Sequence, residues 1–267
     1  MNPKIAFFDT KPYDKEFFSR TNRECGFHIT FLENHLTSET VPLTKGFNII
    51  CVLVNDFLDG HIVGELLRNG IELIALRSAG YNHVDLKAVF GKIHVVRVPA
   101  YSPHAVAEHA VALMLGLNRK THRAYYRVRD NNFSINGLMG FDMCKKTAGI
   151  IGTGKIGRAT IDIIKGFGMH ILAYDVYPDL SYVKDKGFEY CNLDTLYSKA
   201  DIISLHCPLT PENAHVVNRD AIGKMKDGVM IINTGRGKLI DTQDLIDGLK
   251  TGKMEKTAGC QFQPLPI

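Results

Sequence analysis

Between residues 147 and 167 the chain reads Thr-Ala-Gly-Ile-Ile, then Gly152-Thr-Gly154-Lys-Ile-Gly157, then a helical stretch running through Ile161, Ile164 and Phe167. With 24 glycines in the chain, such a glycine string alone would mean little, but an apolar strand before it and an amphipathic helix after it change that. The first glycine permits a tight strand-to-helix turn. The second leaves room for a pyrophosphate to approach the backbone, and the third lets helix and strand pack closely. The N–H groups that open the helix lack partners within it and meet negative charge well. The next apolar run, Ile171–Tyr174, ends in Asp175, 18 residues beyond Gly157. A carboxylate there accepts hydrogen bonds from ribose hydroxyls and repels a 2′-phosphate, which favours NAD over NADP.

The same texture extends along the chain. Short apolar, β-branched runs at Lys4–Phe8, His28–Leu32, Ile49–Val54, Leu73–Leu76 and Val95–Val98 read as strands, with helix-like stretches at Asp14–Thr21 and Ile62–Asn69. A second series has strands at Thr147–Ile151, Ile171–Tyr174, Ile202–Leu205 and Val229–Asn233. Its helices start near Lys155 and lie at Leu193–Lys199, Asp220–Met225 and Thr242–Leu249. Strand and helix in alternation mean parallel sheets covered on both faces, so the fold class is α/β and doubly wound. At roughly 150 residues per domain the 267 residues fit one large domain or two modest ones. The change of texture after Tyr101 favours two, 1–101 and 102–267. Ser102-Pro103 reads as an N-cap with proline in the first turn, opening one long helix from Ala105 to Arg129. Its stretch from His109 to Leu115 is more apolar than a surface helix needs, which makes it a candidate subunit interface of a homo-oligomer, dimer or tetramer.

Composition removes several classes of partner. A net charge of +4 without a basic run of five or six residues does not suggest nucleic acid or an anionic membrane. The start has no cationic stretch followed by a long apolar one, and the longest apolar run, Ile49–Val54, is too short to span a bilayer. Six scattered cysteines without metal spacing read as reduced thiols in a cytoplasm, with no metal site.

Two further loops leave strand ends in the second series: His206-Cys207-Pro208-Leu-Thr-Pro-Glu-Asn213 and Thr234-Gly235-Arg236-Gly237. Ligands of open parallel sheets collect at such ends. Arg236, on a lean loop between glycines, can pair with a carboxylate through two hydrogen bonds. In the first series Leu73–Leu76 leads into Arg77-Ser78-Ala79-Gly80-Tyr81-Asn82, whose small residues either present successive N–H groups to an anion or form a plain turn.

Taken in order, Arg77-Ser-Ala-Gly-Tyr-Asn, Val98-Pro-Ala-Tyr-Ser-Pro, Ala107-Glu-His-Ala, the glycine turn, His206-Cys-Pro-Leu-Thr-Pro-Glu-Asn and Asn233-Thr-Gly-Arg-Gly resemble the D-isomer-specific 2-hydroxyacid dehydrogenases. Within that family the likeness is greatest to the bacterial fermentative branch acting on D-lactate, and it runs from about residue 4 to 253. The resemblance implies two Rossmann-like or flavodoxin-like domains, a substrate (catalytic) domain and an NAD-binding domain, with a cleft between them. It implies hydride transfer between NADH and pyruvate or a similar 2-oxo acid.

By the same resemblance, the backbone of Ser78, Ala79 and Gly80 holds the substrate carboxylate and Tyr101 lies near its side chain. Arg236 binds carboxylate and carbonyl. Gly152, Thr153, Gly154, Lys155, Ile156 and Gly157 border the pyrophosphate, Asp175 the ribose, and Cys207, Pro208, Asn213, Thr234 and Gly235 the rest of NAD. The helix from Ala105 matches the family's dimerisation region.

The family chemistry also needs a proton-donating histidine and a glutamate that orients it, both placed after the strand that follows Thr242–Leu249. Residues 253–267 stand where an apolar strand, an aspartate and then the glutamate belong. Neither acid is found there, and no histidine follows His215. The expectation is therefore a first domain that is incomplete, with apolar surface uncovered and the C-terminal return segment missing. His206, His104 and His109 are the substitutes to weigh. Two other readings stay open: an NAD-binding protein that does not catalyse, and a dehydrogenase of another 2-hydroxyacid such as glycerate, phosphoglycerate or glyoxylate. Tyr101 and the lack of an extra basic pair count against a phosphorylated substrate.

Overall fold

The structure, a computed structural model, describes residues 3–259. The chain divides into two compact units between Tyr101 and Ser102.

The first unit contains β1 (Lys4–Phe7), α1 (Pro12–Cys25), β2 (His28–Phe31), β3 (Ile49–Val52), α2 (Gly60–Arg68), β4 (Leu73–Leu76), α3 (Leu86–Val89) and β5 (His94–Arg97). Its sheet is parallel throughout, in the order β2-β1-β3-β4-β5. Side chains alternate between its faces. Ala6, Ile50 and Ile74 share one face and join Ile62, Val63 and Leu66 of α2 in the core. That helix starts where the Asp59 carboxylate accepts from the N–H of Ile62, a usual N-cap. On the other face Ile5, Ile49, Leu73 and Ala75 are only half-buried, and Val96 is 49% exposed.

The second unit contains α4 (Pro103–Arg119), α5 (Thr121–Arg129), β6 (Thr147–Ile151), α6 (Lys155–Lys165), β7 (His170–Tyr174), α7 (Leu180–Lys186), β8 (Glu189–Tyr190), α8 (Leu193–Lys199), β9 (Ile202–Leu205), α9 (Arg219–Lys224), β10 (Val229–Asn233), α10 (Thr242–Lys250) and β11 (Met254–Gly259). All pairs are again parallel, in the order β11-β10-β9-β6-β7-β8. Every residue of β9 and β10 is buried, as strands covered on both faces must be. One core layer packs Ala110, Val111 and Met114 with Ile161 and Ile164, and the other packs Leu196, Ile222 and Leu245.

The expected single helix over 105–129 is two helices. Lys120 takes a left-handed conformation, φ 51°, while its N–H still bonds to the Gly116 carbonyl, so α4 ends there and α5 starts in a new direction. The apolar stripe of α4 is buried, whereas α5 buries no residue and leaves Tyr125 and Tyr126 59% and 66% exposed. In the altered tail, residues 254–259 do form a strand, with Ile231 opposite Thr257. The rest of that tail lies outside the described residues.

Candidate functional site

Counting strands from β6, the second sheet has the order 3-2-1-4-5-6, and its winding reverses between β6 and β9. Ligands of open α/β sheets bind outside the carboxyl ends of the strands at such a reversal. The loops leaving β6, β9 and β10 are those carrying Gly152–Gly157, His206–Asn213 and Thr234–Arg236.

The three glycines differ physically. Gly152 has φ +96°, and a Cβ there would sit 2.6 Å from the Cys207 nitrogen. At Gly157 a Cβ would collide with the Gly152 carbonyl oxygen. Both are therefore required by the protein's own packing. Gly154 is not: its φ of −66° suits any residue, and no heavy atom lies within 4 Å of where its Cβ would be. It caps α6, beside the exposed Lys155 and half-buried Ile156, and leaves the start of that helix open. Two buried polar atoms close by in the sequence of strand ends, Thr234 Oγ1 and His206 Nδ1, have no hydrogen-bond partner among the described residues. An anion-accepting helix start, clearance at Gly154 and an orphaned hydroxyl fit a dinucleotide.

Asp175, just past β7, accepts from the Thr153 N–H at 2.6 Å and the Thr153 hydroxyl at 2.9 Å through one oxygen, and from the Tyr177 N–H at 3.0 Å through the other. Burial pushes its pKa up, but these donors outweigh burial and hold it below the ordinary aspartate value. Thr153 is 3% exposed and faces inward, so its side chain holds the acid rather than reaching solvent. Its hydroxyl also meets Tyr190 at 2.7 Å.

On the β10 loop, the Asn233 side chain donates to the Arg236 carbonyl at 3.0 Å and accepts from the Gly235 N–H at 2.9 Å, which fixes the turn carrying Arg236. The Arg236 guanidinium is half-exposed and bonds to no described residue. On the β9 loop, Asn213 uses its amide on Pro208 (2.7 Å) and Thr210 (2.8 Å), shaping the segment between exposed Pro208 and itself. The half-buried Cys207 thiol is pushed up by burial, so it stays protonated.

In the first unit, Arg77 lies beneath its own loop. It pairs with Asp14 at 2.9 Å, donates to the Phe8 carbonyl at 2.5 Å and stacks over Phe7 at 4.3 Å. The Ser78 hydroxyl donates to the Gly80 carbonyl at 2.8 Å, and Arg97 donates to the Ala79 carbonyl at 2.7 Å. No described acceptor takes the N–H groups of Ser78, Ala79 and Gly80, which leaves three donors for an anion. Tyr101 is 59% exposed.

His206 bonds through Nε2 to Ser204 Oγ at 2.9 Å, and burial lowers its pKa to about 4. It is neutral at pH 7 and ill-suited to give a proton. His104 and His109 are exposed on α4. Sequence reasoning missed Tyr190, Asn233 and Arg77 as supports. Arg77 and Asn233 each open one of the motifs quoted above, and an Asn two residues before a glycine is a recognisable turn-former.

The family profile described as "D-isomer specific 2-hydroxyacid dehydrogenase, NAD binding domain" matches residues 111–266. The D-lactate dehydrogenase of Escherichia coli (strain K12) is 51% identical over 253 residues, covering 94% of this chain and 76% of that protein. A 2-hydroxyacid dehydrogenase homolog of Schizosaccharomyces pombe is 45% identical, covering 96% and 77%. Among solved structures, the apo D-lactate dehydrogenase from Escherichia coli has a TM-score of 0.89 at 50% identity, covering 96% of this chain and 81% of that one. The Aquifex aeolicus D-lactate dehydrogenase complexed with NAD and lactic acid has a TM-score of 0.85 at 33% identity, covering 97% and 77%.

Proposed function

This chain belongs to the D-isomer-specific 2-hydroxyacid dehydrogenases and carries their NAD-binding domain, and from that premise we propose that it is an NAD-dependent D-lactate dehydrogenase acting on pyruvate or a similarly small 2-oxo acid. The observation that carries the reading is the turn from β6 into α6, in which backbone atoms crowd Gly152 and Gly157 while the helix start at Gly154 stays open. When bound, the nicotinamide supplies the hydride.

The chain's own residues do the rest. Gly152, Gly154, Lys155, Ile156 and Gly157 hold the diphosphate against the start of α6, and Asp175, held by Thr153, accepts from the ribose. Cys207, Pro208, Asn213, Thr234 and Gly235 line the remainder, with the free Thr234 hydroxyl available to it. Arg236 draws electron density toward the substrate's carbonyl oxygen and stabilises the charge that grows there. The N–H groups of Ser78, Ala79 and Gly80 take the carboxylate, and Tyr101 borders the small side chain. Polarising the oxygen is not protonating it, since a guanidinium does not release its proton. His206 is neutral at pH 7, so it does not donate that proton. This favours a second reading: a protein that binds NADH without efficient turnover.

NADH oxidation followed optically with pyruvate, beside NADH binding by calorimetry, separates the readings. Turnover supports the first, binding without turnover the second, and absence of binding overturns both. We also infer a homo-oligomer assembled through α4 and α5, because α5 leaves its aromatic residues exposed. A concentration-independent monomer in sedimentation would refute it. No described helix is long and apolar enough to cross a membrane. All five described cysteines are free thiols, which supports a reducing cytoplasm.

A further inference from the structure

Around Asp175 the hydrogen bonds have a forced direction. The carboxylate is ionised and only accepts, so Thr153 must spend its one hydroxyl proton on Asp175, at 2.9 Å. Thr153 Oγ1 and Tyr190 Oη are 2.7 Å apart, and with the threonine proton committed, the tyrosine must be the donor. The Tyr190 oxygen in turn accepts from the Asp179 N–H at 3.3 Å. The chain of donors thus runs one way, from the start of α7 through Tyr190 and Thr153 to the carboxylate, and each bond polarises the next. Arg158 braces two of its members, donating to the Thr153 carbonyl and to the Asp179 carboxylate, both at 2.9 Å. Tyr190 itself is fixed by its ring, 5.4 Å edge-on from Phe188.

From this geometry we infer that Tyr190 is a positioning residue for cofactor choice: through Thr153 it holds the Asp175 carboxylate in the orientation that accepts a ribose diol and rejects a 2′-phosphate. The inference rests on the assignment of Asp175 to the adenosine ribose and deepens it. The Tyr190 hydroxyl acts by stopping Thr153 from rotating, and so stops the carboxylate from turning away from the position where a ribose would meet it. Without that hydroxyl, the threonine oxygen loses a donor in a buried setting and gains freedom to swing.

The test measures dissociation constants for NADH and NADPH by calorimetry on the full chain, for the wild type and for Tyr190→Phe, Thr153→Val, Thr153→Ser and Asp175→Ala, with thermal melts as folding controls. Losing one neutral hydrogen bond corresponds to about three- to tenfold. Tyr190→Phe and Thr153→Val should lower the NADH-over-NADPH preference by that factor while their melts show both still folded at the assay temperature, and Thr153→Ser, which keeps the hydroxyl, should keep the preference. A role confined to stability would shift both cofactors together and leave the ratio alone. If Asp175→Ala collapses the preference while Tyr190→Phe and Thr153→Val stay within twofold of wild type, the positioning role is wrong and the ribose assignment stands. If Asp175→Ala leaves the preference intact, the ribose assignment fails, and the positioning role with it.

Discussion

Alanine at two glycines of one turn should have opposite effects. At Gly157 the new methyl would lie against the Gly152 carbonyl oxygen, far inside the 3.0 Å that real Cβ atoms keep. A flexible side chain could swing aside, but this obstacle is backbone, held by the φ of +96° at Gly152 and by the Gly152 N–H bond to the Tyr174 carbonyl at 2.8 Å. Overpacking of a well-packed site costs about 1–3 kcal/mol, and a backbone obstacle belongs at the upper end. At about 2–4 °C per kcal/mol for a domain of this size, Gly157→Ala should lower the melting temperature by about 6–12 °C. At Gly154 the methyl enters open space with an allowed φ, so stability should fall by less than about 1 kcal/mol, the small loss of alanine at an N-cap. That methyl does, however, occupy the approach to the helix start. NADH binding should weaken at least tenfold, about 1.4 kcal/mol. Scanning calorimetry and NADH titration of both variants decide the matter. Tight binding by Gly154→Ala, within twofold of wild type, would refute the ligand-clearance argument, as would a melting loss equal to that of Gly157→Ala.

Other outcomes follow from the remaining geometry. Arg236→Gln should leave NADH binding within twofold while lowering whatever kcat/KM is measured with pyruvate by at least about 10², the usual cost of removing a charge-stabilising donor; an equal loss of NADH affinity would move Arg236 to the cofactor. Because burial depresses His206 from an ordinary 6.5 to about 4, the unfolded chain binds its proton first as pH falls. Stability should therefore be full above pH 6.5 and decline toward pH 4 by up to about 3 kcal/mol. Urea midpoints at pH 7 and 5 should differ more in wild type than in His206→Gln. Arg77→Met leaves the buried Asp14 carboxylate without its partner and should cost about 3–5 kcal/mol, with Asp14→Leu in the same chain recovering most of it.

Much of this arrangement is legible in the amino-acid sequence, and the exceptions have causes. The glycine turn and Asp175 are local: their neighbours in sequence are also their neighbours in space. Strands β6, β9 and β10 stand out because buried parallel strands are continuous apolar runs. The break at Lys120 was missed because its left-handed φ sits on a lysine, a residue that carries no turn signal, inside a continuous helical pattern. Tyr190 was invisible for another reason. It lies on a two-residue strand, too short to show a period, and its partner Thr153 is 37 residues away. Thr153 is legible as part of the turn, but only side-chain packing decides that it faces Asp175. The inward turn of His206 is likewise a packing outcome, set by Ser204 beneath it.

The sheet order has a kinetic consequence. The phosphate and arginine loops hang from β6, β9 and β10, interior strands whose amides exchange with solvent only when most of the unit opens. The brace on Asp175 hangs instead from β8, the outermost and shortest strand on its side, paired to β7 at only two residues. Edges of this kind open first and most often. The floor of the site thus persists for as long as the unit is folded, while Tyr190's support of Thr153 beside Asp175 comes and goes with the fraying of a single edge, on a clock of its own.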